Sequence, residues 1–106
     1  MTSGVNAFCN KNQCRWLLLL IGSYQTDDRI TLDPYLSEIQ FWNVLWHKDD
    51  PSIPQSGCRV ICNRDTNDLV ISHDILKTDL ERDMDIRLYV ETGEENRRVI
   101  MLPSEY

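Results

Sequence analysis

The sequence predicts an α+β domain, with N-terminal helices packed on a small antiparallel sheet built from two C-terminal hairpins. Three observations lead there. Residues 13–47 are rich in leucine and aromatic side chains, whereas residues 58–106 switch to alternating segments broken by polar turns. Between them, residues 48–57 (KDDPSIPQSG) carry two prolines and a glycine and read as a loop. With 106 residues there is room for a single domain and one core. An apolar fraction of 42% and a charged fraction of 26% are ordinary globular values.

Residues 1–12 (MTSGVNAFCNKN) are small and polar, and are expected to be mobile. The apolar run from Trp16 to Ile21 has no period, but its leucines favour a helix, with Asn12 as its cap and Gly22 as its end. Gln25–Asp28 then reads as a turn before a short piece, Arg29–Leu32.

The most informative stretch is DPYLSEIQFWNVLWH, residues 33–47, which holds four of the nine aromatic residues. Asp33 is an N-cap type and Pro34 suits a first helical position, so residues 34–47 are expected to form one helix. At about 100° per residue, Tyr35, Ile39, Trp42 and Trp46 then share one face, with Phe41 and Leu45 widening it. Ser37, Gln40, Asn43 and His47 would face water. So greasy a helix implies a core element with apolar surface to spare for a partner.

After the loop, Cys58–Cys62 and Leu69–Ser72 flank a polar turn, Asn63–Asp68, and suggest a hairpin. Leu76, Leu80 and Met84 recur at helical spacing, so a short helix is expected within Asp74–Met84. In Asp85–Glu91, Ile86, Leu88 and Val90 point inward. Residues 92–96 turn and Arg97–Leu102 returns, which makes a second hairpin that Pro103 stops.

Seventeen acids against eleven bases give a net charge of −6, −2 from residues 1–50 and −4 from residues 51–106. Such a balance disfavours nucleic acid, whose binding needs positive charge to release counterions. The longest apolar run, Trp16–Gly22, is far short of the roughly 20 residues that cross a bilayer. It also lacks a small-x-small cleavage site after it. An intracellular, soluble location, cytoplasmic or nuclear, is therefore expected, with cysteines mostly reduced.

Cys9 and Cys14, and Cys58 and Cys62, form two pairs. On a strand, Cys58 and Cys62 would lie roughly 13 Å apart, too far to share one metal ion. All four are expected as small buried apolar side chains, Cys9–Cys14 being the pair more apt to oxidise. His47 is expected in the last turn of the aromatic helix, favourable for the dipole. Asn63–Asp68 lacks the glycine and distal glutamate of a calcium loop. No catalytic residue, metal or cofactor is expected.

The run DLVISHDILKTDLERDMDIRLYVETGEENRRVIMLP resembles the swapped-hairpin barrels of AbrB-type transition-state regulators, which run strand, short helix, acidic turn and terminal hairpin. Ser72 stands where that family usually has proline, Asp83-Met84-Asp85 where it has a Gly-Asp turn, and acids replace most of its DNA-contacting bases. The resemblance implies that topology over about a third of the chain and, as an alternative role, a DNA-binding regulator. An acidic mimic of nucleic acid is another alternative. The role expected first is a non-catalytic protein–protein interaction module (adaptor, assembly subunit or small inhibitor). It would dock through Tyr35, Phe41, Trp42, Leu45 and Trp46 on a partner protein with a basic surface, or on a second copy of itself.

Overall fold

The computed structural model describes residues 2–65 and 68–106. Three helices come first, α1 (Ser3–Asn12), α2 (Arg15–Ser23) and α3 (Asp28–Thr31). Five strands follow: β1 (Ile39–Leu45), β2 (Cys58–Asn63), β3 (Leu69–Ile75), β4 (Arg87–Thr92) and β5 (Arg98–Met101). They form one antiparallel sheet in the order β3-β2-β1-β4-β5. The architecture is α+β, and both C-terminal hairpins are present. What joins them is β1, drawn from the stretch expected to be helical.

The helix expected over residues 34–47 does not form. Asp33 does act as a cap, accepting from the Tyr35 and Leu36 N–H groups at 2.8 and 3.0 Å, but it caps one turn only. From Ile39 the chain is extended. Gln40, Trp42, Val44 and Trp46 are buried, and Ile39, Phe41, Asn43 and Leu45 are half-buried. That alternation is the period of a strand, and aromatic and β-branched side chains suit it. A helix apolar nearly all round has no wet face to offer, whereas a central strand takes apolar residues on both sides. β1 is flanked by β2 and β4, and its residues 41–43 pair with both. The helical part of the chain therefore ends at Thr31 instead of reaching residue 47.

The N-terminal residues also differ from expectation. Instead of a mobile tail, α1 starts directly after Thr2, whose hydroxyl accepts from the Val5 N–H at 3.2 Å. Val5 and Cys9, one helical turn apart, are fully buried. α1 ends at Gln13, whose φ of 55° is the left-handed C-cap conformation. α2 begins after Cys14, not Asn12, and buries Leu17, Leu18 and Ile21. These side chains join Ile30 of α3 and the Trp42 side of the sheet in a single core cluster.

The helix expected within Asp74–Met84 is absent as well. β3 runs to Ile75, and no helix is found among residues 76–86. Leu76 is 75% exposed while Leu80 is buried, so the spacing never becomes a face. The backbone is claimed by the preceding loop instead. Thr78 N–H donates to Ser56 O at 3.0 Å, and Ser56 Oγ donates to Leu76 O at 2.8 Å. Gly57 passes so close that a Cβ there would overlap the Ile75 carbonyl. With no helix between β3 and β4, and β2 and β1 lying between them, the strand–helix–hairpin unit of the AbrB type is not reproduced.

Candidate functional site

Alternation along β1 divides the sheet into two chemically different faces. On the covered face, Trp42 and Val44 lie beside Cys62 and Val60 of β2 and Leu88 of β4. Leu17 and Ile21 of α2 close over them. Gln40, only 1% exposed, is the one polar side chain in that core among the described residues. It exchanges hydrogen bonds with the Gln25 amide at 2.8 and 2.9 Å, donates to Leu36 O at 3.1 Å and accepts from Trp42 Nε1 at 2.9 Å. Arg98 donates to Gln25 Oε1 at 2.8 Å and completes the network. Every amide atom has a partner, so the buried polar group fixes the start of β1 rather than destabilising it.

On the other face, Phe41 lies opposite Tyr89, with ring centroids 5.0 Å apart at 90°. Tyr89 in turn meets Tyr106 edge to face at 5.5 Å. Edge-to-face contact suits the ring quadrupoles. Phe41, Asn43, Leu45 and Tyr89 line an open groove of about 730 Å³. Its other walls come from Val44 of β1, Trp46, Lys48 and Asp49 after β1, Asn63 at the end of β2 and Asp65 after it, and Asp83, Met84, Asp85 and Arg87 before and in β4. Four carboxylates thus stand against two bases. Arg87 pairs with Asp85 at 3.1 Å, and both side chains are well exposed, so this pair is screened and weak. Asp49 accepts from the Trp46 N–H at 2.8 Å, and Asp83 is held on a turn with φ 66°. Near the start of β2, Arg59 bridges Asp74 at 2.6 Å and Asp50 at 3.4 Å. The Arg59 hydrogen bond holds the Asp74 carboxyl below its usual range.

The five residues expected to dock are therefore separated. Phe41 and Leu45 share the open groove. Trp42 lies on the covered face and Trp46 stands in the groove wall, but they are only 1% and 4% exposed, so neither presents much surface to a partner. Trp42 is spent on Gln40, and Trp46 Nε1 donates to Met84 O at 2.8 Å. Tyr35 is exposed on the turn after α3, outside the groove. The sequence reading missed Tyr89 and Tyr106. Tyr89 was legible as the outward residue between Leu88 and Val90, but its pairing with Phe41 needed the β1–β4 register.

Nothing else among the described residues gathers comparable chemistry. Cys58 and Cys62 lie on the covered face, fully buried. Burial pushes their thiols up to about 11 and about 12. A thiol held neutral is a poor nucleophile. His47 sits in a turn, not a helix, with Nδ1 2.8 Å from Ile53 O. His73 Nδ1 is 2.8 Å from the Tyr24 hydroxyl and ties β3 to the end of α2. Among the described residues, no three His, Cys, Asp or Glu side chains gather so as to hold a metal ion. Of the Asn63–Asp68 turn, Thr66 and Asn67 lie outside the described residues. Among the described residues, no helix is long and apolar enough to cross a membrane.

Fold and groove together define a small α+β domain whose sheet is sealed by helices on one side and open on the other. The chain belongs to a family of unknown function (DUF6876), whose model matches residues 1–106. No curated protein and no solved structure matches the chain.

Proposed function

We propose that this protein is a non-catalytic protein–protein interaction module that docks through the open face of its sheet. The observation that carries the reading is the Phe41–Tyr89–Tyr106 aromatic cluster beside a groove whose walls hold more carboxylates than bases. Aromatic side chains dominate interface hot spots because they bury much area at little entropic cost. The charge selects the occupant: a partner protein presenting lysine or arginine beside apolar side chains, steered by the net charge of −6. The raised thiols of Cys58 and Cys62 also favour a binding role over cysteine catalysis.

The test is capture of partners from lysate on immobilised wild type beside Phe41→Ala and Tyr89→Ala, with light scattering of each protein alone. The reading expects one partner that both substitutions release while the fold is kept, and whose retention falls as salt rises. Retention unchanged by either substitution would exclude the groove. A concentration-dependent dimer lost in both variants would make the partner a second copy.

A further inference from the structure

We propose that Cys9 and Cys14 form a dithiol–disulfide site, oxidised by exchange with a small-molecule disulfide of the glutathione class and reduced again by the matching thiol. The two sulfurs lie 3.0 Å apart, about 1 Å beyond a covalent S–S bond of roughly 2.05 Å. The backbone sets this approach. Gln13, in the left-handed conformation, donates its N–H to Cys9 O, and the Cys14 N–H donates to the same oxygen at 3.0 Å. The chain thus folds back over Cys9 and delivers the Cys14 side chain onto it. Cys14 occupies the N-cap of α2, yet its side chain caps nothing and contacts the other sulfur instead. Cys58 and Cys62 are a built-in contrast, equally buried but four residues apart on one extended strand, roughly 13 Å by strand geometry.

The exchange balances in two steps. The thiolate of one cysteine attacks the small disulfide, giving a mixed disulfide and one small thiolate. The second cysteine, losing its proton, displaces the other small thiolate and closes the protein S–S bond. Two S–H bonds and one S–S bond are lost on the reactants, and one protein S–S bond and two small thiols are formed. Both sulfurs are fully buried, and burial, then the Cys14 contact, push the Cys9 thiol up to about 12. Attack therefore runs through local opening of α1, which buries only Val5 and Cys9 among its own residues. Its N-terminal ties are Thr2 N–H to Ile100 O at 3.0 Å and the Thr2 hydroxyl to Glu105 at 2.6 Å. Closing the bond locks the α1–α2 corner. The site lies on the helical side of the molecule and does not depend on the docking role of the open face.

The experiment incubates the full chain in graded mixtures of oxidised and reduced glutathione, quenches with acid, unfolds, alkylates and measures intact mass and tryptic peptides. Lys11 separates the two cysteines on digestion, so a bridge appears as a linked peptide pair. The expected result is that two of the four thiols escape alkylation, the mass falls by two hydrogens, and the linked pair carries Cys9 and Cys14. Denaturant below the unfolding transition should speed the change, and the bridged form should melt higher than the dithiol. Cys9→Ser and Cys14→Ser should abolish it, and Cys58→Ala should leave it intact. The peptide map of the wild type decides even if a variant fails to fold. Four alkylated thiols at every ratio, in dilute denaturant as well, would overturn the proposal. So would a bridge through Cys58 or Cys62, or a mixed disulfide that never resolves.

Discussion

Within β1, Trp42 and Phe41 are chain neighbours with opposite fates. Trp42 is 1% exposed, hydrogen-bonded to Gln40 and enclosed by α2, β2 and β4. Phe41 is half-buried, stacked edge to face on Tyr89 beside an open groove. The difference teaches that one strand supplies both the centre of the core and the candidate contact surface, simply because side chains alternate. Stability and binding should therefore separate along odd and even positions of the same seven residues.

That separation can be broken or sharpened by mutation. The largest effect belongs to Trp42→Ala, which removes the biggest fully buried side chain and should destabilise by about 3–5 kcal/mol in denaturant unfolding. Next comes Gln40→Leu, which leaves the Trp42 indole N–H, the Gln25 amide and the Leu36 carbonyl without that partner. A loss of about 1–3 kcal/mol is expected, measured in the same way. Were Gln40→Leu neutral, the network would not be what fixes the start of β1.

The covered face should also contribute to alkaline sensitivity, beside the Cys9 thiol of α1. Burial raises the Cys62 thiol from 9.0 to about 12, so its contribution is fully present below pH 9 and is lost as pH rises towards 12. One such group lowers stability by about 1.4 kcal/mol per pH unit in that window. Denaturant midpoints taken at pH 9, 10 and 11 should show a shallower fall in Cys62→Ala than in wild type. Phe41→Ala should cost less than Trp42→Ala, roughly 0.5–1.5 kcal/mol for the lost aromatic pair on top of the transfer of a half-buried ring, with partner retention abolished. A Phe41→Ala loss matching that of Trp42→Ala would erase the distinction between the faces.

The same contrast explains what could be read in the sequence. The hairpins were legible because Ile86-Arg87-Leu88-Tyr89-Val90 alternates cleanly and its turn residues stand at its end. The β1 segment was misread because Asp33-Pro34 is a genuine start signal for one turn, and because Trp42, Val44 and Trp46 are interleaved with Ile39, Phe41 and Leu45, which are themselves apolar. Two-sided apolar character hides a period of two, and the requirement for a strand there comes from β2 and β4, distant in sequence. The helix of α1 was missed because its signals are modest: a Thr2 cap and two buried side chains, Val5 and Cys9. Phe41 and Leu45 of the candidate groove read in the sequence as parts of a helical stripe, whereas they share one side of a strand. Tyr89 and Tyr106 join them only through register and the closing turn at Pro103–Glu105.

The central claim is that the open face, and not merely any exposed apolar residue, is the contact surface. The most direct measurement is photo-cross-linking in the native cells, with a photoreactive phenylalanine analogue at position 41 or at position 19. Leu19 is 75% exposed on the outer side of α2 and serves as the comparison. The account predicts a discrete adduct from position 41, its mass that of one partner, and none from position 19. Equal adducts from both positions, or an adduct from position 19 alone, would contradict it.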